Sequence, residues 1–262
     1  MTLVIDGAVD LPPGLLASSG VRVVSQDVWA GDQLFEGTTA DFWAQLRAGQ
    51  GFSTTPPTVN ALADAYEGGG EVCAVHVSAE LSATLSRARE AALRSAAAVA
   101  VVDSRSLSVG AGLVAVLVHD AAQAASSWAE LTEIVPRMAG RVHTFALVQD
   151  LGPLRRSERI RLVPSTHLHQ RRPVLLAVRG RALALEQPKD RSTGLWSLVR
   201  HARGSTEDNP TGWAMGHGDA GDEDAVRARL AEGFGRDAMY SCPIDPIVGA
   251  HLGPEAVVVG VY

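Results

Sequence analysis

Two segments rich in hydroxyl groups each lead into a predicted helix. The first runs from Ser53 to Thr58 as Ser-Thr-Thr-Pro-Pro-Thr, and Thr58 is well placed as the helix N-cap. The second runs from His76 to Thr84 as His-Val-Ser-Ala-Glu-Leu-Ser-Ala-Thr, between a predicted strand and a long helix. Capping accounts for one hydroxyl in each segment and leaves several unexplained. Because hydroxyls beside the free amides of a helix N-terminus favour a carboxylate or a phosphate, both segments are candidate anion sites.

A histidine near the C-terminus could add a further donor. The sequence Val-Gly-Ala-His-Leu-Gly-Pro spans residues 248–254, so that His251 stands between two glycines. Glycine lets a ligand approach the backbone closely, and an imidazole N–H held there can donate to an anion. Since a lone histidine is more often structural, this interpretation depends on the loop reaching the same edge as the hydroxyl segments.

Polar residues end several predicted strands, which keeps an enzyme among the alternatives. Asp6, His76, Asp103 and Asp150 occupy these strand ends, where ligands bind in parallel α/β sheets. A hydrolase or phosphotransferase that uses Asp6, His76 or Asp103 is therefore the alternative hypothesis. The chain has no Gly-x-Ser-x-Gly nucleophile elbow, which weakens the case for a Ser–His–Asp hydrolase.

Two further patterns have better structural explanations. Gly-Ala-Gly-Leu-Val-Ala, from Gly110 to Ala115, matches a dinucleotide-binding fingerprint, but its glycines fall inside a predicted helix instead of the turn after a strand. We expect these glycines to allow tight helix packing. His167 and His169 could share one face of a strand toward a metal ion. No third ligand has recognisable spacing, so we predict no metal site and no cofactor.

The composition disfavours several classes of partner. The chain has 262 residues and a formal charge of −6, which argues against general nucleic-acid binding. Lys189 is the only lysine and does not follow a glycine, so a P-loop is excluded. Cys73 and Cys242 lie in apolar strand-like stretches, as small buried thiols do. The start has no basic segment, and the longest apolar run, Val109 to Val118, is about half a membrane span, so we expect a cytoplasmic protein without a membrane segment.

Strands and helices alternate through the first part of the chain, which favours a layered α/β sheet that is mostly parallel. The predicted strands there are Leu3–Ile5, Val21–Val28, Val72–Val77, Val99–Val102 and Val142–Val148. The predicted helices there are Ala40–Ala48, Val59–Glu67, Ser82–Ala96, Ser108–Ala125 and Trp128–Ala139.

The sequence pattern changes after Asp150. An arginine-rich stretch from Leu154 to Arg172 leads to a predicted hairpin that turns at Arg179-Gly180. The later predicted elements are strands at Pro173–Val178, Ala182–Glu186, Trp213–Met215, Ala238–Ser241 and Ala256–Val261, and helices at Arg191–Ala202 and Glu223–Phe234. We therefore predict an N-terminal α/β domain over residues 1–150 and a second α/β or α+β domain over residues 151–262.

The order of these motifs resembles that of the DegV family of bacterial fatty-acid-binding proteins, which includes binding subunits of fatty acid kinase. Residues 6–12, Asp-Gly-Ala-Val-Asp-Leu-Pro, are similar to the family's Asp-Ser-Thr-x-Asp-Leu-Pro. Residues 53–58 are similar to its Thr-Thr-Ser-Gln-Pro-Ser, and residues 76–84 to its His-Ile-Ser-x-x-Leu-Ser-Gly-Thr. Residues 101–108, 154–160 and 249–254 resemble its Val-x-Asp-Ser-x-x-x-Ser, Leu-Arg-Arg-Gly-Gly-Arg-Ile and Gly-x-His-x-Gly-Pro. The resemblance thus spans nearly the whole chain.

The resemblance implies a two-domain protein that holds one long-chain fatty acid between its domains. Thr54 and Ser82 would bind the carboxylate with His251 as a further partner, and Thr55 and Asp6 join them as candidate ligand-binding residues. Such a protein is a carrier and not an enzyme. In kinase-linked members of the family, a separate ATP-dependent fatty acid kinase converts the presented carboxylate to an acyl phosphate.

Departures from the family pattern keep other ligands open. Gly7 replaces the usual serine, which removes a polar group at the end of the first strand. Ser157-Glu158 replaces a glycine pair, and Leu252 and Glu255 replace the threonine and glycine around His251. A carrier of another amphipathic acid, or a regulatory sensor, is therefore a further alternative.

Overall fold

The computed structural model describes residues 1–18, 20–68, 70–149, 152, 154, 160–161, 173–206 and 209–262. Its helices are α1 (Pro13–Ser18), α2 (Thr39–Arg47), α3 (Val59–Tyr66), α4 (Thr84–Arg94), α5 (Ser108–Ala124), α6 (Trp128–Arg141), α7 (Arg191–Arg203), α8 (Glu223–Phe234) and α9 (Pro246–Leu252). Its strands are β1 (Thr2–Asp6), β2 (Arg22–Val24), β3 (Asp27–Ala30), β4 (Gln33–Leu34), β5 (Phe52–Thr55), β6 (Glu71–His76), β7 (Ala98–Asp103), β8 (His143–Val148), β9 (Ile160–Arg161), β10 (Val174–Arg179), β11 (Arg181–Glu186), β12 (Trp213–His217), β13 (Tyr240–Pro243) and β14 (Val257–Val261). The predicted features at Asp150, Ser157-Glu158, His167 and His169 lie outside the described residues.

Within the described ranges, four parallel strands form a sheet in the order β2-β1-β6-β7. Leu3 and Ile5 of β1 face one core and Val4 faces another, as alternation along a strand requires. Helices α3 and α4 cover the second of these faces, where Leu62 and Tyr66 are fully buried. The predicted parallel sheet is confirmed, and β1, β6 and β7 lie within one residue of their predicted bounds.

A mixed sheet forms the other half of the fold, and its described strands run in the order β13-β12-β14-β8-β10-β11-β9. Strand β8, which we expected in the parallel sheet, pairs antiparallel with β10 and β14 instead. Because residues 144–148 of β8 are all buried, this apolar run fits a strand in either sheet. The sequence of β8 therefore does not specify which strands it pairs with. The chain therefore enters the mixed sheet before residue 150, and the domain boundary there stays a prediction.

Helix α5 lies between the two sheets and is buried along most of its length. Its side chains share one core with the inward faces of both sheets. A side chain at Gly110 would overlap Thr144, and one at Gly112 would overlap the backbone of Asp10. The prediction that these glycines allow close packing is confirmed, because they lie inside the helix and not in a phosphate-binding turn.

The hairpin predicted at Arg179-Gly180 is confirmed, since β10 and β11 pair antiparallel on either side of Gly180. Gly180 has a φ of 84°, a conformation that favours glycine. Helices α7 and α8 cover the outer face of the mixed sheet, where Trp213 and Met215 are fully buried.

The third sheet is small and antiparallel, and its described strands run in the order β4-β3-β5. Two expectations from the sequence were wrong in this region. The single strand expected at Val21–Val28 divides at Ser25-Gln26, because β2 joins the parallel sheet and β3 joins the small one. The first hydroxyl segment, residues 53–58, lies outside the predicted strands and was expected to be a loop, but strand β5 includes its first three residues and pairs with β3.

His251, which we expected in a loop, lies in the last turn of helix α9. Asp245 caps this helix by accepting a hydrogen bond from the backbone N–H of Ile247 at 2.9 Å. Pro246 in the first turn, where its missing N–H costs nothing, supports the same helix start.

Candidate functional site

An apolar cavity is bounded by the ends of β1 and β6, by β5, by β8 and β10 of the mixed sheet, and by α9. It holds about 590 Å³ of empty space, a volume that includes its open mouth. Its lining is mostly apolar and includes Leu81, Leu107, Leu176, Val178 and Ile247. The polar members of the described lining are Gln26, Thr54, Ser82 and His251, and no Asp, Glu, Lys or Arg is among them.

Thr54 and His251 meet in this cavity although 197 residues separate them along the chain. The Thr54 Oγ1 and His251 Nε2 atoms lie 2.9 Å apart and share a hydrogen bond. Strand β5 positions Thr54, because alternation turns it inward while its neighbours Ser53 and Thr55 are exposed. The structure therefore brings together two of the residues predicted at the carboxylate.

Ser82 lines the same cavity just before helix α4. Its Oγ accepts a hydrogen bond from the Thr84 backbone N–H at 3.2 Å and shares a second with Thr84 Oγ1 at 2.9 Å. Ala83 occupies the N-cap position and makes no side-chain cap, so the Ser82 hydroxyl satisfies one of the open amides of the first turn. All three residues proposed for the carboxylate thus line one cavity.

Thr55 and Asp6, the other two predicted ligand-binding residues, are not in the described cavity lining. Thr55 lies on the exposed face of β5, where its Oγ1 accepts a hydrogen bond from Trp29 Nε1 at 3.3 Å. Asp6 is fully buried, and its Oδ1 accepts a hydrogen bond from the Ala8 N–H at 2.8 Å. Asp6 reaches the cavity indirectly, because the same oxygen accepts a hydrogen bond from Gln26 Nε2 at 2.9 Å.

The strand-end acids and histidine do not form an open catalytic cleft. His76 Nδ1 lies 3.0 Å from Asp6 Oδ2, and its Nε2 lies 3.2 Å from the Tyr66 hydroxyl. Asp6 and His76 have no exposed surface, so these contacts occupy them inside the protein. Burial raises the pKa of Tyr66 above its ordinary value, which keeps its hydroxyl neutral. Asp103 does not join this network, since its Oδ1 accepts a hydrogen bond from the Arg105 N–H at 2.8 Å.

Gln26 is a polar lining residue that the sequence reasoning missed. It lies between β2 and β3, and none of the motifs includes it. The signal that could have found it is alternation along β3, because Gln26 stands two residues before the buried Val28. A glutamine on the same face as a buried valine turns toward the interior and needs a hydrogen-bond partner there.

The carboxyl groups of the buried Asp10 and of Asp245 fix the start of helix α9. The backbone N–H of Asp245 donates to Asp10 Oδ1 at 3.1 Å, and Ser108 Oγ donates to Asp10 Oδ2 at 2.5 Å. Burial raises the pKa of Asp10 from 3.8 to about 7, and burial also raises the pKa of Asp245. The sequence reasoning used Asp10 as part of a motif and missed this structural role.

Cys73 and Cys242 are free and buried as predicted, and burial raises the pKa of Cys73 to about 11. Among the described residues, no three metal-ligating side chains lie close enough together to hold a metal ion. Across the same residues, every helix is too short or too polar to cross a bilayer.

A family model described as "Uncharacterised protein, DegV family COG1307" matches residues 1–262. The chain belongs to the DegV family. A DegV domain-containing protein of Deinococcus radiodurans is 29% identical over 279 residues, covering 98% of this chain and 96% of the relative. Another DegV domain-containing protein, of Mycobacterium tuberculosis, is 31% identical over 203 residues and covers 75% of this chain and 71% of the relative.

Solved DegV structures share the fold of this chain. The protein from Ruminococcus gnavus, refined with vaccenic acid, has a TM-score of 0.87 at 18% identity and covers 99% of each chain. The structure described as fatty acid binding of a DegV family protein from Thermus thermophilus has a TM-score of 0.85 at 23% identity, covering 100% of this chain and 98% of the other. These matches confirm the predicted α/β fold class, with its parallel sheet and second α/β unit.

Proposed function

We propose that this DegV protein binds a long-chain fatty acid and performs no chemistry on it. The observation that supports this best is the character of the cavity, whose lining is apolar around Thr54, Ser82 and His251. The structures of the Ruminococcus gnavus and Thermus thermophilus relatives are described with vaccenic acid and with fatty acid binding, which indicates the same class of ligand.

The hydroxyl–imidazole pair suits a carboxylate head group. When His251 Nε2 bears the proton, it donates to Thr54 Oγ1, and the Thr54 hydroxyl hydrogen can then donate to a ligand oxygen. Ser82 supplies a second hydroxyl beside the start of α4, where the helix dipole favours negative charge. The described lining includes no Asp or Glu that would repel the carboxylate.

Burial of the acyl chain supplies most of the binding energy. Each methylene contributes about 0.8 kcal/mol when it leaves water. Association costs about 4–15 kcal/mol in lost motion before any affinity is measured. About fifteen methylenes contribute about 12 kcal/mol, which leaves about 8 kcal/mol after the lowest of these costs and corresponds to a Kd of about 1 μM, so we propose a long-chain acid.

Mass spectrometry of the purified protein is the first test. The recombinant chain is denatured and extracted with organic solvent, and the extract is compared with a mock purification. We expect a stoichiometric fatty acid, whose length would measure the usable depth of the cavity. Protein that is empty and also takes up no added fatty acid would contradict the proposal and favour another amphipathic acid.

The double variant Thr54→Val with Ser82→Ala tests the head-group assignment. Loss of two hydrogen bonds to a charged group should weaken binding of a fluorescent fatty acid by about 100-fold or more. The matched control is Ser53→Ala with Thr55→Val, because both side chains lie on the exposed face of the same strand β5. Equal affinity in the two double variants, with circular dichroism spectra like the wild type, would contradict the assignment.

A kinase partner stays a prediction from the family resemblance. Hydroxylamine traps acyl phosphates as hydroxamates, so it reports transfer of phosphate to the bound acid. We expect no hydroxamate from the purified loaded chain with ATP, and hydroxamate once an extract of the native host is added. Hydroxamate from the purified chain and ATP alone would contradict the non-catalytic role.

A further inference from the structure

Gln26 is one of four polar residues in the described lining of a cavity that is otherwise apolar. It directly precedes β3, and Val28, two residues later, lies opposite Thr54 in the antiparallel register. Side chains two residues apart on an extended chain face the same side. Gln26 and Thr54 are therefore diagonal neighbours on one face, about 7–8 Å apart at the backbone.

A buried network holds this amide in place. Gln26 Nε2 donates to Asp6 Oδ1 at 2.9 Å, and Asp6 is held in turn by the Ala8 N–H and by His76 Nδ1. Asp6 and His76 are fully buried, so rotation of the amide away from Asp6 would leave a buried carboxylate oxygen with one partner fewer. The Gln26 side chain is thus presented to the cavity at a fixed position.

The amide has more hydrogen-bonding capacity than this contact uses. A glutamine side chain offers two N–H donors and one carbonyl acceptor. Within the described part of the chain, the bond to Asp6 is the hydrogen bond that the Gln26 side chain makes. Gln26 is half-buried before a ligand binds. A plain acyl chain packed against its amide would shield the second N–H and the carbonyl from water without pairing them, whereas a hydroxyl group can pair with either.

We propose that Gln26 makes this protein selective for fatty acids with a hydroxyl group near the carboxyl end. The inference rests on the proposed function, because it needs the carboxylate at Thr54 and His251. With the carboxylate there, the diagonal spacing places the Gln26 amide beside the first few carbons of the chain. A β-hydroxy acid has its hydroxyl in that region.

The structure also leaves room beside Gln26. Gly7 has no side chain, and a Cβ atom there would make ordinary contact with Ile247 Cγ1 at 3.5 Å and Gln26 Cγ at 4.0 Å. A second cavity of about 840 Å³, mouth included, is lined by Gly7, Gln26 and Ile247, and the last two also line the first cavity. Gln26 and Ile247 therefore separate the two cavities. A substituent that branches from the acyl chain beside Gln26 would meet these two side chains instead of a packed core.

Competition binding to delipidated full-length protein measures this selectivity. The assay measures how well each of four acids displaces a fluorescent fatty acid. The four acids are palmitate, β-hydroxypalmitate, stearate and a stearate that carries a hydroxyl group in its distal half. We expect β-hydroxypalmitate to bind about tenfold more tightly than palmitate, from one added hydrogen bond to the Gln26 amide. The distal hydroxyl should give no gain over stearate, because only apolar residues are expected around that part of the chain.

Substitution of Gln26 should remove the preference. In Gln26→Leu, the ratio of the Kd for palmitate to the Kd for β-hydroxypalmitate should fall from about ten to about one. Gln26→Met, which is closer to glutamine in shape, is the second variant if leucine lowers the melting temperature. The matched control is Gln33→Leu, an exposed glutamine on β4 of the same small sheet, which should keep the preference.

Two kinds of result separate this inference from the proposed function. Equal affinity of the wild type for palmitate and β-hydroxypalmitate would overturn the selectivity while leaving fatty-acid binding intact. A preference that survives in both Gln26 variants would overturn the role of the amide. Failure of the wild type to bind any of the acids would overturn the proposed function itself.

Discussion

Replacement of Asp10 by asparagine should stabilise the protein at alkaline pH and flatten the pH dependence of its stability. Asp10 is buried, and its carboxylate accepts hydrogen bonds from the Asp245 N–H at 3.1 Å and from Ser108 Oγ at 2.5 Å. Asparagine can keep both contacts, because its carbonyl accepts from Asp245 and its NH₂ group donates to Ser108 Oγ. The substitution thus removes a buried charge and keeps its partners.

The pKa of Asp10 sets the size of this effect. Burial raises it from 3.8 to about 7, so the folded protein binds the proton more tightly than the unfolded chain does. The stability that this proton contributes is fully present below the unfolded pKa and is lost as the pH rises through about 7. The difference between the folded and unfolded pKa values of Asp10 corresponds to about 4 kcal/mol of stability. About 3 kcal/mol of this stability is lost between about pH 5 and pH 9.

Urea unfolding followed by tryptophan fluorescence measures the effect, since Trp213 is fully buried. Between about pH 5 and pH 9, the free energy of unfolding of the wild type should fall by about 3 kcal/mol relative to that of Asp10→Asn. Asp32→Asn is the control, and its profile should run parallel to the wild type because Asp32 is exposed. Parallel profiles for the wild type and Asp10→Asn would refute the reasoning, because the buried carboxyl would then titrate as it does in the unfolded chain.

Two further predictions test the packing of the core. Gly110→Ala should lower the free energy of unfolding by about 1–3 kcal/mol, because the added Cβ overlaps Thr144. In Gly140→Ala, the added Cβ on α6 meets open space, so the free energy of unfolding should rise by about 0.5–1 kcal/mol. Equal melting temperatures for the two variants would contradict this account of the packing. Burial raises the pKa values of Cys73 and Cys242, so both thiols should react with a disulfide reagent only after denaturation. A thiol that reacts quickly in the native protein would contradict their burial.

Local geometry accounts for the parts of the fold that the sequence predicted well. Strand β6 and helix α5 lie within one residue of their predicted bounds, because each is a long element with a consistent apolar pattern. Thr54, Ser82 and His251 line one cavity as expected. Ser82 does so as expected, because it lies between β6 and the start of α4 at the edge of the parallel sheet, whereas Thr54 lies on β5 and His251 in the last turn of α9.

The choice of partner between distant segments is what the sequence could not predict. Strand β8 is buried on both faces, and such a strand fits a parallel or a mixed sheet equally well. Gln26 and Asp10 were missed because their partners are remote in the chain. Gln26 bonds to a residue 20 positions earlier, and Asp10 to one 235 positions later, so no local spacing marks either contact.

The candidate head-group site depends on a helix that its own sequence cannot stabilise. Helix α9, Pro246–Leu252, is shorter than the about 12–15 residues that an isolated helix needs in water. Contacts from other elements therefore fix its position: the residue before it donates to the buried Asp10 carboxylate, and the ring of Trp43 packs where Gly249 has no side chain. His251 follows Gly249 by two residues, so its place in the cavity depends on both contacts. Loss of either contact should weaken ligand binding, although neither Asp10 nor Trp43 is in the described cavity lining.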